Sequence, residues 1–392
     1  MNMISTATPQ ALRRTNGTAP LIVHVTRQFA PSRGGLEDVI GNLCRQLLKR
    51  GFRVRVVTCN SVFAEPGPLL PAHEIVDGIE VVRIPWSGST RYPIAPQVFR
   101  HLADADLIHV HAIDFFFDAL SWGRLLHRRP MVATTHGGFF HTQKYAALKK
   151  IWFRTVTRAS ALGYRRLVCC SQSDAALFSQ IAAERTVTIE NGANTEKFAG
   201  RASPAPARHI VTIGRFSVNK RLDRLIAMMR PLVQSNPEWH LDIIGAPSDL
   251  SATDLERQIV QAGLSQHVSI HAGVADATIA ERIGKASFFA SASEYEGFGV
   301  VAIEAMSAGL VPLLHPNDAY RNLAGRHDCI RLVDFSEADG AAHAFEDAYR
   351  HALDGTGASG KRIVAEAATY SWHSVADRYV DVYETVPAKP RP

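Results

Sequence analysis

Two glutamates separated by seven residues are the groups in this sequence most suited to holding a ligand. Glu296 lies in the stretch 293–299 (Ser-Glu-Tyr-Glu-Gly-Phe-Gly), whose Gly-Phe-Gly predicts a turn, and Glu304 follows on a predicted helix of small and apolar residues. A carboxylate buried on such a run needs hydrogen-bonding partners, and the hydroxyl groups of a sugar or a ribose provide them. The alternative is that both are unrelated surface glutamates.

The spacing of the two glutamates bears on a second interpretation, because paired acids are typical of glycoside hydrolases. If residues 296–304 form one helix, the carboxylates are about 12 Å apart at a rise of 1.5 Å per residue. Hydrolytic carboxylate pairs are about 5–9.5 Å apart. We therefore expect the pair to hold an elongated ligand and not to flank a single bond.

Two basic residues follow the first predicted strand of the second half of the chain. Arg215 and Lys220 lie in the stretch 214–221, just before a segment of helical period. A planar and a flexible cation at that position suit a diphosphate, because both neutralise negative charge as it develops on a leaving group. Taken alone, a basic residue near a helix start is usually exposed to solvent.

A glycine pair near the start of the chain is a third candidate. Gly34 and Gly35 follow the strand predicted at 21–25 and precede a helical pattern, so they could present bare backbone N–H groups to an anion. The alternative is a tight turn without a ligand. The pattern is not G-x-G-x-x-G, which disfavours a nicotinamide cofactor.

These candidates need a scaffold, and the hydrophobic pattern predicts two α/β domains. Short β-branched and aliphatic runs alternate with segments of helical period, which is typical of parallel βαβ units. The small, proline-containing stretch 199–208 has the composition of a linker. Doubly wound sheets bind ligands at the carboxyl ends of their strands. The predicted strands are 21–25, 53–57, 79–84, 107–111, 131–135, 167–170, 187–189, 209–213, 241–244, 268–271, 288–291 and 311–314.

Taken together and in order, these motifs resemble glycosyltransferase family 4, whose members are retaining enzymes. The resemblance covers nearly the whole chain and implies a GT-B fold, in which two Rossmann-like doubly wound parallel-sheet domains face each other across a cleft. The motifs that carry it are Gly34-Gly35, Asn191 to Phe198 (Asn-Gly-Ala-Asn-Thr-Glu-Lys-Phe), Arg215, Lys220, and Glu296 and Glu304 with the intervening Gly-Phe-Gly.

The resemblance implies a role for each candidate. Glu304 is expected to hold the nucleotide ribose, Glu296 the donor sugar, and Arg215 and Lys220 the diphosphate. His136, in a Thr-Thr-His-Gly-Gly stretch at a strand end, matches the family histidine near the reacting centre. The residues expected in catalysis are His136, Glu296, Lys220 and Arg215. The residues expected to bind the donor are Gly34, Gly35, Ser171, Arg215, Lys220, Glu296, Gly297, Phe298, Gly299 and Glu304.

Two positions fit the resemblance less closely. Ser171 follows the strand predicted at 167–170, where a serine could line the cleft or equally cap the next helix. The usual Asn-Gly-Val-Asp of the family is here Asn-Gly-Ala-Asn at 191–194, with an amide in place of the acid. We expect this departure to alter only the interdomain loop.

A metal site is a further possibility at one predicted strand. His109 and His111 are two apart and so share a face, and with Asp114 they could ligate an ion. Enzymes resembling this chain generally use basic residues and helix N-termini where other transferases use a divalent ion. We therefore predict no metal ligands and activity in the presence of a chelator.

Residues 119–173 form a strongly basic region. They include ten basic residues and no acidic one, so by subtraction from a net charge of +6 the rest of the chain carries −4. A basic amphipathic helix with an interfacial tryptophan is typical of a segment lying on anionic lipid, where each basic residue contributes about 1 kcal/mol. We expect residues 144–166 to contact an anionic membrane; an ordinary packed helix with a solvated basic face is the alternative. The apolar residues at helical spacing are Tyr145, Leu148, Ile151, Trp152 and Val156, flanked by Lys144, Lys149, Lys150, Arg154 and Arg158.

The 392 residues and their composition are those of a folded two-domain protein. No apolar run reaches the roughly 18 residues of a membrane-spanning helix, and residues 1–20 lack the apolar section of a secretory signal. Five cysteines without C-x-x-C spacing disfavour a disulfide framework and a zinc cage. We expect a cytoplasmic protein peripherally associated with the inner membrane.

The predicted domain limits combine this pattern with the resemblance. We expect a disordered segment at 1–20 and an acceptor- and membrane-facing domain at 21–200. A nucleotide-sugar-binding domain is expected at 201–365, and 366–392 should contain a terminal helix that crosses back to the first domain. That helix is predicted at 370–384 from apolar and aromatic residues at near-helical spacing.

Over its whole length the sequence is similar to bacterial mannosyltransferases that extend a lipid-linked cellobiose in exopolysaccharide synthesis. That resemblance implies GDP-mannose as the donor, a polyprenyl-diphosphate-linked oligosaccharide as the acceptor and an α-1,3 linkage. No residue distinguishes guanine from uracil, or mannose from glucose, by physical argument. Two other classes stay open: a GT-B sugar-nucleotide epimerase, which consumes no acceptor, and a basic nucleic-acid-binding protein. We expect no nucleic-acid partner, because no helix-turn-helix or RNA-binding signature is found.

Overall fold

The computed structural model describes residues 19–64, 67–136 and 150–386. The chain divides into two compact units, Met1–Asn191 with Trp372–Pro392 and Gly192–Ser371. Each unit is built on a mostly parallel sheet with helices on its faces. The prediction of two doubly wound α/β domains is therefore confirmed.

The first unit contains an eight-stranded sheet in the order β10-β9-β8-β7-β1-β2-β4-β3. All its described pairs are parallel except β3 with β4. β1, β7 and β8 are fully buried, as expected for central strands covered on both faces. The strands of this unit are β1 (Leu21–Val25), β2 (Arg53–Cys59), β3 (His73–Val76), β4 (Ile79–Ile84), β5 (Ser87–Ser89), β6 (Tyr92–Ile94), β7 (Leu107–His111), β8 (Met131–Thr134), β9 (Arg166–Cys169) and β10 (Thr186–Thr188), of which β5 and β6 form a separate antiparallel pair.

The helices of the first unit pack their apolar faces on this sheet. The Gly35–Lys49 helix buries Ile40, Leu43 and Leu47, and the chain turns away at Gly51, whose φ of +82° favours glycine. The other helices are Phe115–Trp122, Arg124–His127, Arg158–Ala161, Gln172–Ala182 and Trp372–Glu384, with 3-10 turns at Pro96–His101 and Ala183–Arg185 and a π-turn at Phe153–Thr157.

The last of these helices comes from the far end of the chain. Val375, Tyr379 and Tyr383 of Trp372–Glu384 are buried in one apolar cluster with Ile40 and Leu43 of the Gly35–Lys49 helix. Arg50 adds hydrogen bonds of 2.6 and 2.8 Å to the Asp377 carboxylate. The first unit is thus completed by residues more than 320 positions away in sequence.

The second unit contains a six-stranded parallel sheet in the order β13-β12-β11-β14-β15-β16. Its strands are β11 (His209–Ile213), β12 (His240–Gly245), β13 (Val268–Ala272), β14 (Phe288–Ser291), β15 (Val311–Leu314) and β16 (Arg331–Leu332). Its helices are Leu222–Ser235, Ala252–Gln261, Asp276–Ile283, Val300–Ala308, Asp318–Ala324, Ala338–Leu353 and Gly360–Ala367, with 3-10 turns at Val218–Lys220 and Ala368–Tyr370. Among all the described residues, no helix has both the length and the apolar character to cross a bilayer.

The two units divide after Asn191 and after Ser371. The Ala193 N–H donates to the Tyr370 carbonyl at 2.9 Å, and Gly200 and Ala202 donate to Ser307 and Ala308. These bonds tie residues 192–208 to the second unit, so the division at Asn191 lies nine residues before the predicted one. Of the segment predicted to be disordered, 1–18 lies outside the described residues.

In both sheets the strand order reverses beside the first strand of the unit. β1 lies between β7 and β2, and β11 lies between β12 and β14. Ligands of doubly wound sheets bind beyond the carboxyl ends of the strands at such a point. The loops after β1, β7 and β8, and those after β11 and β14, are therefore the segments of interest.

Candidate functional site

In the second unit, the loops after β11 and β14 bring a predicted cation and a predicted acid into contact. Lys220 Nζ lies 2.6 Å from Glu296 Oε1, and both side chains are mostly buried. The pair comes from positions 76 residues apart. The two residues expected to hold neighbouring parts of one ligand are thus adjacent.

Asn219 fixes the two loops against each other. Its amide nitrogen donates to the Tyr295 carbonyl at 2.9 Å, and its amide oxygen accepts from the Tyr295 N–H at 3.1 Å. Glu294 adds ion pairs to Arg221 and Arg224 at 2.5 and 2.9 Å. This bonding holds the two loops together without using the Lys220 or Glu296 side chains, which pair with each other.

A buried tyrosine supports Glu296 from the protein side. The Tyr320 hydroxyl lies 3.2 Å from Glu296 Oε1 and 2.9 Å from Ser291 Oγ. Burial raises the pKa of this hydroxyl well above its usual range, so it stays protonated and donates to the carboxylate. Gly299, with a φ of +83°, packs on the same ring, since a Cβ there would lie 2.8 Å from Tyr320 Cε1.

Glu304 lies on the Val300–Ala308 helix, and it is the only acid among that helix's nine residues. Burial raises the pKa of its carboxyl group, and Lys197 and the backbone of Asn194 partly offset this. Asn194 is the amide that replaces the usual acid of the family motif. Because Asn194 contacts Glu304 through its backbone, the replacement leaves that contact possible.

The helix that carries Glu304 begins only at Val300. Residues 294–299 are not helical, as the Gly-Phe-Gly sequence predicts, so a helical rise of 1.5 Å per residue does not apply between Glu296 and Val300. The cause is the Gly-Phe-Gly insert, in which Gly299 takes a left-handed conformation and caps the helix. Phe298 packs near Tyr370, with ring centroids 5.8 Å apart, while Gly297 is exposed.

Arg215 follows β11 and its side chain is exposed. In the part of the chain that the structure describes, it forms none of the ion pairs that engage Lys220, Arg221 and Arg224. The preceding Gly214 has a φ of +157° and packs on the Lys220 side chain, 3.3 Å from Cε to a Cβ built on the glycine. The geometry therefore leaves Arg215 as a solvent-facing cation at the edge of this site.

In the first unit, Gly34 and Gly35 open the Gly35–Lys49 helix as predicted. A Cβ on Gly35 would meet nothing within 4 Å, so the space on that side of the residue is open. The Glu37 carboxylate lies over Gly34 and accepts a hydrogen bond from Ser32 Oγ at 3.2 Å. An anion at this helix end therefore requires the Glu37 side chain to move aside.

His136 follows β8 with a φ of +54°, in the left-handed region that side chains rarely adopt. Its Nε2 lies 2.9 Å from His111 Nδ1, and His111 Nε2 lies 2.9 Å from His24 Nδ1. Burial, and to a lesser extent Arg27, lower the pKa of His136 to about 3. At neutral pH it is an uncharged imidazole at the end of a chain of three histidines.

The suggested metal ligands have other partners. His109 Nδ1 lies 2.7 Å from the Tyr383 hydroxyl, and His109 Nε2 lies 2.7 Å from Thr134 Oγ1. Asp114 accepts from the Phe116 N–H at 2.9 Å and caps the following helix. Ser171 similarly caps the Gln172–Ala182 helix by accepting from the Asp174 N–H at 3.1 Å, which is the alternative left open for it.

Comparison with known proteins decides the family. Two family models match, Glycosyltransferase Family 4 over residues 33–197 and Glycosyl transferases group 1 over residues 194–354. The chain is 44% identical over 366 residues to the GDP-mannose:cellobiosyl-diphosphopolyprenol alpha-mannosyltransferase of Komagataeibacter xylinus, with 93% of each chain covered. It is 39% identical over 372 residues to the protein of that name from Xanthomonas campestris, covering 94% of this chain and 98% of that one.

The chain belongs to glycosyltransferase family 4. Its fold also matches solved GT-B structures, including HepE from Anabaena in complex with UDP, with a TM-score of 0.67 and 18% identity over 93% of this chain and all of that one. The prediction of a GT-B fold is thereby confirmed. This family 4 enzyme carries its predicted residues in two groups, Gly34, Gly35, His136 and Ser171 in the first unit, and Arg215, Lys220, Glu296 to Gly299 and Glu304 in the second.

Several residues that organise these groups were not predicted from the sequence. Asn219 lies inside the 214–221 stretch that was identified for Arg215 and Lys220, so its amide could have been considered there. Its bond to Tyr295 is seen only in the structure. Tyr320 gave none, because it lies 24 residues after Glu296 on another helix. His24 and His111 lie inside strands, and only the contacts from His24 to His111 and from His111 to His136 connect them to a predicted site residue.

Proposed function

We propose that this enzyme transfers mannose from GDP-mannose to a polyprenyl-diphosphate-linked oligosaccharide with retention of the anomeric configuration, forming an α-1,3 linkage on a cellobiosyl lipid. The proposal is supported by identity of 44% and 39%, over more than nine-tenths of the chain, to proteins named for that donor and acceptor. A role in bacterial exopolysaccharide synthesis would follow from such an acceptor.

The observation that carries the proposal is the contact between Lys220 Nζ and Glu296 Oε1 at 2.6 Å. In a nucleotide sugar the diphosphate is bonded directly to the sugar, so groups that bind the two parts must be neighbours. Lys220 is suited to the phosphate oxygens and Glu296 to the sugar hydroxyls, since ammonium groups donate and carboxylates accept. Glu304, desolvated on its helix, is suited to the ribose hydroxyls.

The chemical step needs no protein nucleophile. The bond between the anomeric carbon and the β-phosphate oxygen breaks, and the electron pair leaves with GDP. The acceptor hydroxyl attacks on the same face and gives its proton to the departing phosphate oxygen. Lys220 and Arg215 are the cations placed to stabilise the negative charge that develops on the leaving group.

His136 contributes to this step as a hydrogen-bonding group and not as a cation. Burial lowers its pKa to about 3, so the ring is neutral at the pH of the cytoplasm. A neutral imidazole can direct one N–H at a sugar hydroxyl and orient it without adding charge. We propose that turnover is metal-independent, because Lys220 and Arg215 supply the positive charge. Loss of turnover in EDTA, restored by manganese or magnesium, would contradict this.

We propose peripheral attachment to an anionic membrane through an exposed surface of the first unit, here called the apolar–basic surface. Part of the predicted segment, 144–149, lies outside the described residues. In the remainder, Ile151 and Trp152 are exposed although both are large and apolar. The members of the surface are Trp122, Leu125, Leu126, Ile151, Trp152 and Leu162, with exposed Arg124, Arg128, Arg154, Arg158 and Arg165.

Two segments of this surface are packed together by their polar residues. Ser121 Oγ donates to the Ser160 carbonyl at 2.6 Å, and the Tyr164 hydroxyl donates to the Phe117 carbonyl at 2.8 Å. Trp122 and Leu162 therefore stand beside this contact with exposed side chains. Large exposed apolar groups among arginines, in a region without acids, suit a lipid surface rather than bulk water.

The decisive experiment incubates the purified enzyme with radiolabelled nucleotide sugars and membranes that contain lipid-linked oligosaccharides. The expected result is incorporation into the organic-extractable fraction from GDP-mannose and not from UDP-glucose, UDP-galactose or GDP-fucose. Linkage analysis and NMR of the released sugar should show an α-1,3 mannosyl residue. Conversion of the nucleotide sugar without use of an acceptor would instead identify an epimerase.

A further inference from the structure

We infer that the second unit of this enzyme contains a metal site separate from sugar transfer. A single Zn²⁺ ion, or a dication of similar chemistry, would be held by three histidines and one aspartate. The residues are His209, His240, Asp242 and His271. None of them belongs to the residues proposed to bind the donor, so the inference stands independently of the proposed function.

The four side chains converge at short distances. His209 Nε2 lies 2.8 Å from Asp242 Oδ2, and His271 Nε2 lies 2.8 Å from Asp242 Oδ1. His240 Nε2 lies 3.6 Å from Asp242 Oδ1. One ligand atom from each of His209, His240 and Asp242 can be chosen so that these three lie within 4.8 Å of one another, and His271 joins this group through its contact with Asp242.

The backbone holds these residues on one face of the sheet. They belong to the adjacent parallel strands β11, β12 and β13, where His209 is level with His240, and Asp242 with Ser269. His271 lies two positions after Ser269 and so points to the same face. Because the three strands are hydrogen-bonded to one another, the ligand residues lose little conformational freedom when an ion binds.

The donor set matches the preference of zinc. Imidazole nitrogens and a carboxylate are ordinary ligands of Zn²⁺, whereas magnesium and calcium prefer oxygen alone. Tetrahedral zinc with bonds of about 2.0–2.2 Å places neighbouring ligand atoms about 3.3–3.6 Å apart. The distances from the three histidines to Asp242 are 2.8, 2.8 and 3.6 Å, so each of these pairs is within about 1 Å of that range.

Burial and access are also those of a binding site. The Asp242 side chain is fully buried, and His209 and His271 each hydrogen-bond to it at 2.8 Å. The three imidazoles are each between 15 and 28% exposed, so an ion can enter from solvent. Each histidine that now donates Nε2–H would carry its proton on Nδ1 instead and offer Nε2 to the ion.

The buried group of His24, His109 and His111 is a poorer candidate, although its ring nitrogens also lie close together. All three side chains are fully buried, and both nitrogens of His109 are engaged by Tyr383 and Thr134. An ion would have to displace those bonds without a path from solvent. The surface-accessible group on β11 to β13 therefore carries the inference.

A bound ion would join three neighbouring strands without entering the reaction. Asp242 pairs with Val211, which lies three residues before Gly214. The site is therefore about 10 Å along the strand from the loop that carries Arg215. The ion should therefore stabilise the folded second unit and leave turnover unchanged. Stabilisation by an ion that binds only the folded state rises with its concentration above the Kd.

The test is isothermal titration of the chelator-treated full-length enzyme with ZnCl₂ at pH 7.5. We expect one equivalent to bind, and Tm to rise by roughly 5 °C or more at a hundredfold excess over the Kd. The variants H209A and H271A should each bind at least about tenfold more weakly. Substituting Co²⁺ should give the intense visible absorption of a tetrahedral ion, which a purely structural histidine cluster does not produce.

Controls separate the site from incidental binding. H343A removes an exposed histidine of the same unit and should bind zinc like the natural enzyme. D242N keeps the side-chain shape, so it tests the carboxylate if an alanine variant fails to fold; it should also bind at least about tenfold more weakly. Failure of the natural enzyme to bind one equivalent, or undiminished binding by both H209A and H271A, would overturn the inference.

Discussion

His111 Nδ1 lies 2.9 Å from Nε2 of His136, the histidine expected near the reacting centre. In a chain of neutral imidazoles each hydrogen bond has one donor and one acceptor, so the tautomers of the linked rings are set together. His111, itself 2.9 Å from His24, therefore determines which nitrogen of His136 carries the proton. His111, which lies inside β7, thereby affects the predicted reacting centre through His136.

Replacing His111 with alanine should lower kcat at least about tenfold while KM for the donor changes little, because the tautomer and position of His136 are lost but the donor contacts of the second unit remain. Steady-state kinetics with thermal denaturation checks this. H111N retains one hydrogen-bonding group and should recover part of the loss. An unchanged kcat in a folded H111A variant would remove His111 from the mechanism.

Replacing Lys220 with alanine should lower turnover by about 10²–10³, since it removes charge from the leaving group. Its neighbour Glu296 would then be left without a counter-ion in the mostly buried pair. The double variant K220A/E296Q should therefore lose less than the product of the single losses, as expected for contacting residues. Turnover of each variant, normalised to folded protein, is the measurement; full activity of K220A would place Lys220 outside the site.

Folding stability should fall as pH drops below about 6.5. Burial lowers the pKa of His24 and His136 to about 3, while histidines of the unfolded chain titrate at their ordinary value. Between the two values the unfolded state binds more protons, so stability present above pH 6.5 is lost as pH falls toward 3. At pH 5, one such histidine lowers the free energy of unfolding by about 2 kcal/mol relative to its value well above pH 6.5.

Urea unfolding at pH 7.5, 6.0 and 5.0 measures this dependence. H24N should show a smaller fall in the free energy of unfolding between pH 7.5 and 5.0 than the natural protein, whatever its stability at pH 7.5. Equal slopes for the two proteins would show that the His24 ring is protonated in the folded state.

Gly299 and Gly297 offer a matched pair in one turn. A Cβ on Gly299 would lie 2.8 Å from Tyr320 in a left-handed conformation, whereas one on Gly297 would meet nothing within 4 Å. G299A should therefore lose about 1–3 kcal/mol of folding stability and G297A less than about 1 kcal/mol. Thermal denaturation of both variants gives the comparison, and equal losses would mean that Tyr320 moves freely.

The apolar–basic surface predicts liposome binding. Leu125 and Leu126 are 76 and 77% exposed, and Trp122 is 61% exposed. The triple serine variant at these positions should bind anionic vesicles at least about tenfold more weakly in flotation, and high salt should weaken the natural protein. L353S, at an exposed leucine of the second unit, is the control. Equal binding to neutral vesicles at any salt would contradict an electrostatic membrane contact.

The strands that position the site could be predicted because their hydrophobic runs are central and buried. β1, β4, β11, β14 and β15 have the predicted limits. β3 was missed, since three of its four side chains are exposed at an antiparallel edge and leave no apolar pattern. β16 has only two residues and gives no periodic signal.

The candidate site was predictable where chemistry and local sequence coincide. Lys220 and Glu296 were identified by residue type and position after strands, although their contact is a property of the fold. Tyr320 and His111 could not be identified, because their roles depend on contacts across 24 and 25 residues with no motif between them. The Gly-Phe-Gly turn before Val300 could be predicted from its glycines, whereas the left-handed conformation of Gly299 and its packing on Tyr320 are properties of the fold.

The helix Trp372–Glu384 has a consequence for how the protein is made. Its Tyr383 hydroxyl lies 2.7 Å from His109 Nδ1, in the middle of the first unit. During synthesis, the whole second unit therefore leaves the ribosome before the C-terminal helix can complete the core of the first unit. Until that helix is made, Ile40 and Leu43, which it covers in the folded protein, are exposed to solvent. A fragment ending at 191 should therefore precipitate unless residues 372–384 are added as a separate peptide.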